Sequence, residues 1–216
     1  MSLRIEWLGK VDYDEGLAMQ TCLLEKVFSD EEPETLLLLE HHPIFTIGRT
    51  RDESSLKNID ALPHPLRQTN RGGQATYHGP GQLVGYPILN LRHRAMDLHR
   101  YLRFLESVLL EALEEYGLPA RRSDGLTGIW IENRKIASIG VGVRKWITMH
   151  GFALNVTKES LPAFDQIIPC GIDGVTMTSV ETELGKPISF KEVSESVSRR
   201  FEKLLTEQMP HQSDEG

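Results

Sequence analysis

Arg71-Gly72-Gly73-Gln74-Ala75-Thr76-Tyr77-His78-Gly79-Pro80-Gly81-Gln82-Leu83-Val84-Gly85-Tyr86 puts an arginine, a histidine, two tyrosines and five glycines into sixteen consecutive residues. By pattern it is a loop, a strand, a Gly-Pro-Gly turn and a return strand. Glycines let a backbone approach a ligand closely, so the same stretch that makes a plain hairpin also suits a binding wall. Both readings stand on these residues alone.

Outward from this stretch the chain reads as mixed helix and strand. Residues 74–91 and 126–156 are β-rich, and between them a helix over 97–116 carries Leu98, Tyr101, Leu102, Leu105, Val108, Leu109, Ala112 and Leu113 as a broad buried stripe, stopped by Gly117-Leu118-Pro119. Upstream, Tyr13, Leu17, Leu24 and Phe28 recur at helical spacing to about Ser29, and 36–40 and 44–47 read as short strands separated by His41-His42-Pro43. Residues 51–66 form a polar, proline-bearing loop. Glu132-Asn133-Arg134 marks a hairpin turn, and Lys135 opens the return strand. Downstream, Ser189 and Glu192 match a capping box ahead of a helix whose core face is Val193, Val197, Phe201, Leu204 and Leu205. The expected fold is α/β (α+β), a mixed sheet flanked by helices, in one domain over 1–216 with 211–216 a disordered tail.

A net charge of −7 gives no whole-molecule attraction to nucleic acid, and the opening residues lack the apolar block of an export signal. No run approaches the roughly 18 apolar residues of a membrane span. The expected protein is soluble and cytoplasmic, with no nucleic-acid or membrane partner. Two cysteines are too few for a disulfide framework, and eight histidines show no metal-ligand spacing. Ile167-Ile168-Pro169-Cys170-Gly171-Ile172 sets a thiol between proline and glycine, where loop exposure would give a nucleophile its access; the competing reading is a small buried hydrophobe, which Cys22 inside the first helix fits.

The string from Arg71 to Tyr86 resembles the signature of the lipoate-biosynthesis octanoyltransferases at every fixed position: R-G-G, two residues, T-Y-H, two residues, G-Q, then a hydrophobic position and tyrosine. Thr127-Gly128-Ile129-Trp130 with Lys135-Ile136-Ala137-Ser138-Ile139-Gly140, and His150-Gly151-Phe152-Ala153-Leu154-Asn155-Val156 leading to Pro169-Cys170-Gly171, are similar to further segments of that family, in family order. The resemblance implies the fold of the biotin and lipoate protein ligases. It implies transfer of octanoyl from octanoyl-acyl carrier protein to a lysine of lipoyl domains in 2-oxoacid dehydrogenase complexes, or of the glycine cleavage H protein. Cys170 would hold a thioester and Lys135 would be the catalytic lysine. Arg71, Gly72, Gly73, Gln74, Ala75, Thr76, Tyr77 and His78, with Ser138, Ile139, Gly140, Gly151, Phe152 and Ala153, would bind substrate.

A thioester donor and an amine acceptor suit a two-step path that preserves the activated acyl group, with neither ATP nor metal required. An ammonium that lowered a thiol's pKa from about 8.5 to about 6.5 would raise the thiolate fraction about 25-fold, but reduced nucleophilicity takes back about 6- to 10-fold. Lys135 is therefore expected to move protons as well as stabilise charge, although a lysine at a hairpin end also reads as solvated surface and Lys145 competes for the role. His78 reads equally as an orienting group or a structural one. Arg92, Arg94, Arg100, Arg103, Arg121 and Arg122 are candidates for a basic face toward an acidic carrier. An ATP-dependent lipoate or biotin ligase of the same fold and a cysteine thioesterase are the competing activities.

Overall fold

The computed structural model describes residues 3–168 and 174–211. In chain order these form β1 (Arg4–Val11), α1 (Tyr13–Phe28), β2 (Thr35–His41), β3 (Ile44–Ile47), β4 (Leu66–Gln68), β5 (Thr76–His78), β6 (Gln82–Ile88), α2 (Leu98–Glu114), β7 (Arg121–Ser123), β8 (Leu126–Ile131), β9 (Arg134–Arg144), β10 (Ile147–Asn155), β11 (Thr176–Met177), α3 (Val180–Leu184) and α4 (Phe190–Gln208). The main sheet runs β1-β2-β6-β10-β9-β8-β7 with β11 added beside β9, and a small sheet runs β4-β3-β5. Parallel pairs (β1 with β2, β3 with β4, β11 with β9) among antiparallel ones make both sheets mixed, as the sequence patterns imply.

The Leu36-Leu37-Leu38-Leu39 run shows why the main sheet is apolar on both sides. Leu36 and Leu38 pack with α2 and α4, while Leu37 and Leu39 face the other way with Val84, Tyr86 and residues of α1. A strand covered on both faces loses alternation and reads as one continuous hydrophobic run. The α2 stripe docks on the first face, where Phe104 meets Phe201 of α4 edge-on at 5.0 Å between ring centroids. Truncating such a buried aromatic to alanine costs about 3–5 kcal/mol. Asp97 caps α2 by accepting from the Arg100 N–H at 3.0 Å, and Ser189 caps α4 by accepting from the Glu192 N–H at 3.3 Å. No helix among the described residues is long and apolar enough to cross a membrane.

Two expectations change, and one element was not expected. The N-terminal residues form β1, an edge strand whose Trp7 stays exposed and whose charged residues hide any hydrophobic pattern. Cys22 is exposed on α1, not the buried hydrophobe its helical setting suggested, because the helix packs through Tyr13, Gly16, Gln20, Leu24 and Val27. Of the expected tail, His211 lies 3.6 Å from the buried Glu34 carboxylate, and 212–216 fall outside the described residues.

Candidate active site

A cavity of about 580 Å³ opens between the small sheet and strands β9 and β10. One wall is the segment 70–78. Its first residues are fastened by the backbone, since the Arg49 N–H donates to the Arg71 carbonyl at 3.0 Å and the Gly72 N–H donates to the Val141 carbonyl of β9 at 2.9 Å. The contact with the end of β3 is so close that a Cβ on Gly48 would fall 1.8 Å from the Gly73 carbonyl oxygen. Only glycine permits that approach.

Arg71 is buried on this wall and donates through Nη2 to the carbonyl and to Oγ1 of Thr46, both at 2.8 Å, and through Nη1 to the Gly72 carbonyl at 3.0 Å. Around it stand Tyr13, Asn70, His78, Tyr86 and His150. The His41 Nδ1–H donates to the Val11 carbonyl at 2.8 Å, which makes Nε2 the acceptor of the Tyr86 hydroxyl at 2.7 Å. His78 Nδ1 donates to Gln82 Oε1 at 2.8 Å, the orientation of that amide being set by its own donation to Tyr77 O and Asn155 Oδ1. Burial pushes the pKa of His41 down to about 4. Burial, with the Arg71 guanidinium nearby, does the same to His150, also to about 4. His78 is held well below the ordinary imidazole range by burial first, then by His41 and Arg71. These three rings are neutral at pH 7, and Tyr13, raised to about 12 by burial, keeps its proton. The wall is a set of neutral hydrogen-bonding groups around one buried guanidinium.

The opposite wall is made by β9 and β10. Their antiparallel register puts Ser138 beside Ala153, Ile139 beside Phe152 and Gly140 beside Gly151, so two sequence segments expected to bind substrate lie next to each other. Lys135 sits further along β9, only 2% exposed. Its Nζ donates to the Thr127 carbonyl at 2.9 Å and lies 5.3 Å from the centroid of the Trp130 ring. The lysine fits there because residue 128 has no side chain. Gly128 has φ +117, and a Cβ would come within 2.5 Å of the Ala137 carbonyl oxygen and 2.7 Å of Lys135 Cε. The alternative of a solvated hairpin lysine is thereby excluded. Lys145 is exposed instead, pairing with Glu25 at 3.3 Å over the Phe28 ring.

Of the residues expected at the site, Arg71 to Thr76, His78, Lys135, Ser138 to Gly140 and Gly151 to Ala153 line this one cavity. Tyr77 does not. Strand alternation turns its ring away from Thr76 and His78 into the small sheet's core, against Phe45 at 5.3 Å and Phe164 at 5.8 Å. Cys170 lies outside the described residues. Among the six arginines considered for a basic face, Arg94 is buried against Glu34, and Arg103 and Arg122 pair with Glu106.

Some residues at or behind the cavity were not among those expected at the site. Tyr13 read as part of a helix face, while His150 takes φ +56 inside a strand, a conformation that no sequence pattern announces. Glu106 is 1% exposed on α2 and accepts from the Gly128 N–H at 3.3 Å. A carboxylate four residues after Leu102 and three before Leu109, on the same helix face, was the available sign.

The lipoyl protein ligase A/B catalytic domain matches residues 12–202. The octanoyltransferase of Geotalea uraniireducens strain Rf4 is 50% identical over 208 residues, covering 96% of this chain and 95% of that protein. The chain belongs to the lipoyl protein ligase A/B catalytic domain family, with the octanoyltransferases. It is an acyltransferase. Solved structures similar to this chain share its architecture at low identity. The bipartite lipoate protein ligase from Thermoplasma acidophilum superposes with a TM-score of 0.72 at 19% identity, covering 95% of this chain and 84% of that one. The biotin protein ligase from Aquifex aeolicus, in complex with biotin and ATP, gives 0.62 at 19% identity over 94% and 71%. These two likenesses establish the ligase-type fold.

Proposed function

We infer that this octanoyltransferase takes octanoyl from octanoyl-acyl carrier protein onto Cys170 and passes it to a specific lysine of lipoyl domains, those of 2-oxoacid dehydrogenase complexes and the glycine cleavage H protein. The setting is cytoplasmic, and neither ATP nor a metal takes part. The observation that carries the reading is a buried lysine amine, held at 2.9 Å by the Thr127 carbonyl, in the wall of a cavity whose histidines, His78 and His150, are neutral. A group that must give and take a proton needs a fixed position and little competition from neighbouring acids and bases.

In the first step the Cys170 thiolate attacks the donor's thioester carbonyl. The C–S bond to the carrier breaks, and the departing carrier thiolate takes a proton from Lys135. In the second step the acceptor lysine amine attacks the enzyme thioester, its proton passes to Lys135, and Cys170 leaves as thiolate. The chain on both sides of 169–173 supports this role for Cys170. The Ile168 N–H donates at 2.7 Å to the carbonyl of Ser55, whose hydroxyl accepts from Ala75 at 3.1 Å, and Met177 is paired with Lys135. Ile168 and Met177 are thus attached one to each cavity wall. Leu98, Leu102, Ile139, Val141 and Phe152 supply apolar lining for an acyl tail.

The test is an acceptor assay with purified lipoyl domain and two donor sets, octanoyl-acyl carrier protein without nucleotide, and free octanoate with ATP and magnesium. Modification of the acceptor lysine in the first set alone is expected. Modification in the second set alone would replace this reading with that of a ligase.

A further inference from the structure

We propose that Glu106 is a positioning residue for Lys135, acting through the single peptide unit that joins Thr127 to Gly128. The proposal rests on the reading of Lys135 as the proton-moving group. The carbonyl of Thr127 accepts from Lys135 Nζ at 2.9 Å, and the N–H of Gly128, the other polar end of the same planar unit, donates to Glu106 Oε1 at 3.3 Å. A peptide unit carries a dipole of about 3.5 D, positive at its N–H end and negative at its C=O end. The carboxylate and the amine therefore favour the same orientation of that unit, and each hydrogen bond strengthens the acceptor or donor at the far end.

The arrangement is fixed on every side. Glu106 Oε2 accepts from Arg103 at 2.7 Å and from Arg122 at 3.0 Å, which leaves Oε1 aimed at Gly128. The positive φ of Gly128 sets the plane of the peptide, and the absence of a Cβ admits the lysine stem beneath it. On the opposite side of Lys135 the Thr178 N–H donates to the Lys135 carbonyl at 2.9 Å, and Thr178 is itself tied to Glu183, the partner of Arg134. A carboxylate buried in an apolar helix face is costly unless it is paired, and two arginines alone would satisfy it at the surface. Its reach to Gly128 gives it a place in the site. Glu106 touches no reacting atom in this account; it holds the carbonyl that aims the amine.

The experiment is a double-mutant cycle on steady-state octanoyl transfer, using wild type, Glu106→Gln, Lys135→Met and the double variant, with kcat and KM for octanoyl-acyl carrier protein measured for each. Glu106→Gln is expected to lower kcat about 10-fold with KM within about two-fold, and to leave the residual rate of Lys135→Met unchanged within about two-fold. An equal loss in both backgrounds, or a loss confined to KM, would overturn the proposal in favour of a purely structural role. If Glu106→Gln does not fold, Glu106→Asp keeps the negative charge for the two arginines while withdrawing the oxygen from Gly128, and the same 10-fold loss is expected; a wild-type rate would overturn it. Wild-type turnover by Lys135→Met would bring down the Lys135 role itself, a result that the Glu106 variants alone cannot produce.

Discussion

The two walls of the cavity are built on opposite plans. The 70–78 wall is one continuous stretch, fastened by backbone hydrogen bonds to Arg49 and Val141, with neutral imidazoles packed behind a buried guanidinium. The Lys135 wall is assembled from α2, β8 and β9, each giving one part: Glu106, the Thr127–Gly128 peptide and the lysine. Continuous backbone can shape a pocket with local sequence alone. Holding a buried amine in one place takes residues that are far apart in the chain.

If that contrast is right, damage to the assembled wall removes chemistry. Lys135→Met should lower octanoyl transfer about 10³-fold, read by single-turnover quench, while thermal unfolding shifts little because the apolar stem still fills its slot. An unchanged rate would dissolve the distinction between the walls. Gly128→Ala should come next, at about 10²-fold, with about 1–3 kcal/mol of lost stability, since a Cβ at φ +117 meets both the Ala137 carbonyl and the lysine stem. Denaturant titration alongside the rate assay separates the two effects.

The continuous wall should respond to acid instead. His41 and His150 have folded pKa values of about 4 against an unfolded value of about 6.5, so the unfolded state binds more protons as the pH drops. Their contribution to stability is fully present above pH 6.5 and is lost as pH falls toward 4, at about 2 kcal/mol for each ring by pH 5. Urea midpoints at pH 7 and pH 5 check this, and His41→Gln should flatten the dependence. The smallest effect is expected from Tyr77→Phe, within about two-fold in transfer rate, because its ring faces Phe45 and Phe164 rather than the cavity. A large loss of activity there would show that the small sheet's core reaches into the chemistry.

This division also explains what the sequence disclosed. The Arg71 to Tyr86 string was legible because its wall is local; its two strands are present, but β5 pairs with β3 and β6 with β2 and β10, so they join different sheets instead of closing a hairpin. The helix start at Asp97, the capping box at Ser189 and the turn at Glu132-Asn133-Arg134, whose return strand begins at Arg134 and not at Lys135, were equally local signals. β1 escaped because an exposed edge strand needs no apolar alternation, and Tyr77 was misplaced because a motif gives spacing without saying which face is wet. Glu106 lay hidden for a different reason. Its partners are 3, 16 and 22 residues away, and only the packing of α2 against β7 and β8 brings them together.

The most direct test of the account is whether the enzyme itself carries the acyl group. Wild-type protein and Cys170→Ala are incubated with octanoyl-acyl carrier protein, without nucleotide or acceptor, and followed by intact mass with peptide mapping. The predicted result is one hydroxylamine-labile octanoyl group on Cys170, absent from the variant and discharged when a lipoyl domain is added. Acceptor modification at the wild-type rate by Cys170→Ala, or no adduct on a wild-type enzyme that still transfers, would contradict it.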